Sequence, residues 1–184
     1  NKPSQEGLFR HYEAIATAVD LPIIVYNIPG RSVVNISVET FARLAKLPGI
    51  VGVKDATADL ARPLQMRVAV GAEFCQLSGE DATATAFLAQ GGVGCISVTS
   101  NVAPKLCAQM HEAWAKDDLE TCFAIRDRLM PLHDAMFCET SPAPVKYAAS
   151  LLGRCDPTVR LPLVEASDAA RQKVRAAMTQ LGLI

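Results

Sequence analysis

Two short apolar runs separated by the length of one helix constrain this chain more than any other feature. Residues 21–25 are apolar apart from Pro22 and lead into Tyr26-Asn27-Ile28-Pro29-Gly30-Arg31, where Pro29-Gly30 is a strong turn signal. Residues 50–53 are β-branched around Gly52 and end on a lone lysine, Lys54. Between them, Val38, Phe41, Ala42 and Leu44 fall on one face of a helix spanning residues 38–46. A strand–helix–strand unit of this size makes its two strands parallel. Strands apolar on consecutive residues suit a parallel sheet covered on both faces.

In such units the loops at the carboxyl ends of the strands form the working face. Tyr26 and Lys54 both stand there. A lysine partly shielded from water is an available amine nucleophile, a nearby tyrosine can move protons, and an arginine just past the turn can grip a carboxylate with its two-pronged head. Taken singly, Lys54 reads as strand punctuation, Tyr26 as a strand aromatic and Arg31 as a surface charge. Their placement at successive strand ends points to Schiff-base chemistry on a keto acid.

Tyr26-Asn27-Ile28-Pro29-x-Arg31 followed by Gly52-Val53-Lys54-Asp55-Ala56-Thr57 resembles the second signature of the dihydrodipicolinate synthase/N-acetylneuraminate lyase family of class I aldolases. The likeness runs from Asn1-Lys2-Pro3-Ser4-Gln5-Glu6-Gly7 to Arg171 and beyond. It implies an α/β fold, a (β/α)8 TIM barrel with a C-terminal helical extension, and a Schiff-base lysine on the sixth strand, here Lys54. A whole barrel takes about 250 residues, so the 184 present are expected to be its second half, strands 5–8, with the first four strands upstream of residue 1. The expected division is a barrel portion at 1–115 and a helical domain at 116–184.

The resemblance also assigns roles. Lys54 and Tyr26 are catalytic, Arg31 meets the carboxylate of an aldehyde substrate, and Ile96 offers its backbone carbonyl to the keto acid; from its own place after a strand, Gly79 in Gly79-Glu80-Asp81 suits a substrate-binding loop and equally a turn or helix cap. The implied reaction condenses pyruvate with aspartate semialdehyde in lysine and diaminopimelate biosynthesis, through a covalent imine on Lys54 and with no cofactor or metal. A homotetramer built as a dimer of dimers is the family's usual assembly. Ser32-Val33 stands where the family often has Thr-Gly, and Ser141 stands in place of an asparagine in Thr140-Ser141-Pro142-Ala143-Pro144-Val145-Lys146. Two other readings remain: a pyruvate-dependent aldolase or lyase acting on a sugar acid or another keto acid, and a non-catalytic barrel half.

Composition narrows the partners. The 18 basic and 19 acidic residues leave a net charge of −1, so nothing points to nucleic acid or an anionic membrane. No apolar run approaches the ~20 residues needed to span a bilayer. The six cysteines form no C-x-x-C pair and read as reduced, buried thiols of a cytoplasmic protein.

Elsewhere the sequence predicts helices near residues 4–19, with Ser4 as cap, and at 60–68, 82–89, 145–152 and 168–181. It predicts strands at 74–78 and 95–98. Residues 119–130 and 132–137 continue the helical pattern, with Pro131 as a kink or boundary. Gly91-Gly92-Val93-Gly94 precedes a strand, the wrong order for a phosphate cradle, and reads as tight packing at a helix-to-strand turn. His11, His111 and His133 are given no catalytic role.

Overall fold

A computed structural model describes residues 1–184 and divides them into two compact units, 1–96 and 97–184. The first unit opens with α1 (Gln5–Ala18), whose first turn is capped by Ser4: its hydroxyl accepts from the Gly7 N–H at 3.2 Å. Then come β1 (Ile23–Asn27), a single turn α2 (Pro29–Ser32), α3 (Val38–Leu44), β2 (Ile50–Asp55), α4 (Arg62–Val70), β3 (Cys75–Ser78), α5 (Ala84–Ala89) and β4 (Gly94–Cys95). The four strands form one parallel sheet in sequence order, β1-β2-β3-β4. This is the strand–helix repeat that the spacing of apolar runs predicts.

The pairing register places Tyr26 beside Lys54 and Asn27 beside Asp55. Side chains alternate across a strand, so these two pairs lie on opposite faces. On the helix-covered face, Val25 and Val53 pack with Phe41, Leu44 and Met66 in one apolar cluster. Ile24 and Tyr26, on the other face, are each 42% exposed. The sequence implied cover on both faces; within these residues the helices cover one.

Several boundaries differ from the sequence reading for local reasons. Pro63 falls in the first turn of α4, where a missing N–H costs nothing, and so stands at the start of a helix that begins at Arg62 and not at residue 60. The fourth strand is two residues long, because after Cys95 the chain makes one further ladder bond, Ile96 N–H to Ser78 O at 2.9 Å, and then departs. Gly92 behaves as a packing glycine: a Cβ there would stand 2.2 Å from the Phe87 ring.

The second unit starts with a 3-10 turn (Thr99–Asn101) and continues through α6 (Pro104–Ala115), α7 (Leu119–Met136), α8 (Ala143–Leu151) and α9 (Asp168–Gln180). Its core joins Cys107 and Met110 of α6, Leu129, Leu132 and Met136 of α7, Ala148 of α8, and Val174 and Met178 of α9. The helix Pro104–Ala115 thus packs with the helices that follow it. Pro131 does not break α7, which runs unbroken from Leu119 to Met136. Buried side chains on both sides of the proline belong to the same core, and the carbonyl left without its N–H belongs to Asp127, an exposed residue. All six cysteines are free; Cys107 and Cys122 are buried, whereas Cys155, in the loop after α8, is exposed against expectation. No helix is long and apolar enough to cross a membrane.

Candidate active site

Of the sequence-predicted site residues, Tyr26, Lys54 and Gly79 converge at the carboxyl ends of β1, β2 and β3. Lys54 is half-buried, and its Nζ stands 4.0 Å from the centroid of the Tyr26 ring, a cation held over an aromatic face. The contact follows from register, because parallel pairing sets the two residues side by side on the open face of the sheet. The Lys54 ammonium has no hydrogen bond or ion pair, and the Tyr26 hydroxyl has no partner either.

Gly79, the residue after β3, lies directly against the lysine. A Cβ built on it would stand 3.1 Å from Lys54 Cε, 2.8 Å from Ala56 Cβ and 3.2 Å from the Asp55 carbonyl. Its own N–H donates to that carbonyl at 2.7 Å. Ile96 sits at the end of the next strand, 42% exposed, fixed through its N–H to Ser78. Arg31 lies further out, on the single turn α2, exposed and without an ion-pair partner. The structure therefore brings Lys54, Tyr26 and Gly79 into one cluster and leaves Arg31 at the tip of a loop beside it.

That loop is held by polar groups that the sequence reading left without a role. Asn27 and Asp55 follow Tyr26 and Lys54, point to the helix-covered face, and are buried. Asn27 Oδ1 accepts the Ile36 N–H at 3.1 Å, and its Nδ2 donates to Asn35 Oδ1 at 2.9 Å. Asp55 accepts from the N–H and hydroxyl of Thr57 at 2.9 and 2.6 Å, and from Arg62 Nε at 3.0 Å. Arg62, itself buried, donates through Nη2 to the Ile36 carbonyl at 2.9 Å. Gln5 closes the arrangement, donating to the Asn35 carbonyl and accepting from the Ser37 N–H and the Thr40 hydroxyl. A buried ion pair of this kind is costly to break, about 3–5 kcal/mol when one partner is lost. A single sequence signal existed for Arg62: a charged residue directly before Pro63 on the inward face of a helix start.

Two cavities border the loop that carries Arg31. One of about 450 Å³ is lined by Tyr26, Asn27, Ser32 and Ile36 together with Leu8 and Tyr12. A more open one of about 590 Å³ is lined by Asn1, Lys2, Arg31, Ser32 and Val33. Burial pushes the Tyr12 phenol above its usual value, which keeps it neutral. Burial likewise raises the Glu80 carboxyl, opposed by a bond from the Ala82 N–H and assisted by neighbouring Asp81. No group of three or more His, Cys, Asp or Glu side chains is placed to hold a metal ion.

Residues 1–181 match the dihydrodipicolinate synthetase family. The chain is 68% identical over 184 residues to a 4-hydroxy-tetrahydrodipicolinate synthase of Rhodospirillum centenum and 62% identical to that of Acidiphilium cryptum. Both similarities cover 100% of this chain and 63% of the relative, so the chain spans less than two thirds of their length. Among solved structures, dihydrodipicolinate synthase from Thermotoga maritima superposes with a TM-score of 0.95 at 40% identity, covering 100% of this chain and 64% of that one. The chloride-inhibited enzyme from Acinetobacter baumannii, complexed with pyruvate, gives 0.95 at 41%, covering 100% and 63%. The four parallel strands and their helices thus correspond to part of the barrel of these proteins.

Proposed function

The chain belongs to the dihydrodipicolinate synthetase family, and on that premise we propose that it carries the Schiff-base site of a 4-hydroxy-tetrahydrodipicolinate synthase, a lyase. The observation that supports this reading most directly is the register pairing of Tyr26 with Lys54, which holds Nζ 4.0 Å from the ring centroid at the strand ends. In this reading the Lys54 amine attacks the keto carbon of pyruvate, the resulting carbinolamine loses water, and an iminium forms. The iminium draws electrons from the pyruvate methyl group, which gives up a proton and becomes an enamine. That enamine carbon adds to the aldehyde carbon of aspartate semialdehyde, forming the new C–C bond, and the aldehyde oxygen takes up a proton.

The Tyr26 hydroxyl relays protons in these steps. Gly79 and the Ile96 carbonyl contact the keto acid, and the exposed fork of Arg31 takes the carboxylate of the semialdehyde. The covalent imine needs no organic cofactor or metal. The protein acts in the cytoplasm as a homotetramer of the dimer-of-dimers kind, on small-molecule substrates and without nucleic acid. A boundary at residue 115 between barrel and helical parts also belongs to this reading.

The test is imine trapping. Borohydride added with pyruvate should leave one reduced pyruvyl adduct on Lys54, found by peptide mass spectrometry, and Lys54→Arg should abolish both adduct and turnover, since a guanidinium stays protonated. An adduct at another lysine of an active protein overturns the assignment. Pyruvate released from a sugar acid, without semialdehyde turnover, would select the lyase alternative.

A further inference from the structure

We propose that Arg62 is a positioning residue that fixes the Arg31 loop against the strand carrying Lys54, and so sets the affinity for the carboxylate of the aldehyde substrate. The proposal rests on the Schiff-base reading of Lys54 and Arg31 and goes beyond it, because Arg62 touches neither substrate nor lysine.

Ile36 is the backbone unit at the centre of this tie. The chain leaves β1 at Asn27, passes through α2 with Arg31, and returns at Ile36, where both polar groups of the main chain are held by side chains. The Ile36 N–H donates to Asn27 Oδ1 at 3.1 Å, and its carbonyl accepts from Arg62 Nη2 at 2.9 Å. Asn27 follows Tyr26 in sequence, and the other end of Arg62 is anchored on Asp55, which follows Lys54, with Nε to Oδ2 at 3.0 Å. The base of the arginine loop is thereby tied to the two strand ends that carry the lysine and the tyrosine.

Burial makes the tie stiff. Arg62 and Asp55 side chains are each 7% exposed and Ile36 is buried, so neither water nor a second rotamer replaces these bonds without cost. Arginine suits the task because its planar head carries donors in two fixed directions, one toward a carboxylate and one toward a carbonyl; a lysine ammonium keeps the charge but is a single point. Asp55 is held independently by Thr57. Loss of the second prong therefore loosens the Arg31 side more than the Lys54 side.

The experiment compares Arg62→Lys with the unchanged protein, in the full chain that carries these residues, by steady-state kinetics and borohydride trapping. Arg62→Lys should raise KM for aspartate semialdehyde about tenfold, while KM for pyruvate and adduct formation at saturating pyruvate stay within about twofold. A core variant of the helical unit, Leu129→Ala, matched for loss of thermal stability, should shift neither KM by more than about twofold. If Arg62→Lys fails to accumulate as folded protein, Asn27→Ala releases Ile36 from its other side and carries the same expected split. A parallel change of both KM values, an unchanged semialdehyde KM, or the same split in Leu129→Ala overturns the inference. Failure of the unchanged protein to form the Lys54 adduct would instead overturn the reading on which it rests.

Discussion

Gly79 stands so close to Lys54 that a single added methyl group would come within 3.1 Å of the lysine Cε. The crowding has no easy relief, since the same methyl would lie 2.8 Å from Ala56 Cβ and 3.2 Å from the Asp55 carbonyl. The absence of a side chain at Gly79 is what lets the lysine stem pass along the strand end and over the Tyr26 ring. Gly79→Ala should therefore displace Nζ, lowering the rate of pyruvate adduct formation by about tenfold to a hundredfold, the scale on which small misplacements act. Single-turnover trapping with borohydride checks this; an unchanged rate would show that the stem has room elsewhere.

Arg31 is exposed and unpaired on a single helical turn, so it has little structural work to lose. Arg31→Ala should leave thermal stability within about 0.5 kcal/mol, the usual range for surface changes. Semialdehyde use should fall by about a hundredfold in kcat/KM, as for loss of a charge-assisted grip of about 2–3 kcal/mol. Kinetics with each substrate varied in turn distinguish this from an effect on pyruvate. A loss confined to pyruvate would mean that Arg31 holds the other carboxylate.

Val33, two residues after Arg31, takes φ of 66°, the left-handed region, and is 65% exposed. A β-branched side chain there is strained, at roughly 1–2 kcal/mol. Its side chain is largely in solvent and recovers little of that cost by packing. Val33→Asn, a residue that tolerates this conformation, should raise stability by about 0.5–1 kcal/mol. Urea unfolding gives the answer, with a lower midpoint as the contrary result.

Glu80 provides a pH test. Its burial raises the folded-state pKa above the unfolded value, so the folded protein binds more protons through that window. Stability from this group is thus present at acid pH and declines as pH rises through the window. Glu80→Gln removes the penalty: it should raise the urea midpoint at pH 7.5 and lose that advantage near pH 4, where the wild-type carboxyl is already protonated. An advantage of equal size at both pH values would assign the effect to packing and not to charge.

The sequence by itself determined the local elements and the order of chemical groups along them. Apolar runs of strand length, separated by helical faces, are set by side-chain periodicity and were legible at β1, β2, β3 and most helices. Ser4 as a cap, and Tyr26, Arg31 and Lys54 as strand-end groups, were readable because each depends on near neighbours in the chain. The fate of Pro131 was not, since a proline breaks a helix unless buried residues on both sides are claimed by one core, as Leu129 and Leu132 are. Register was also beyond local reading: only pairing of β1 with β2 decides that Tyr26 meets Lys54 while Asn27 and Asp55 turn to the opposite face. The Asn27–Ile36–Arg62–Asp55 clamp joins residues that are up to 35 positions apart when Arg62 is set against Asn27. No periodicity encodes such contacts; they exist because buried polar groups must find partners, and the tertiary structure decides which partners come within reach.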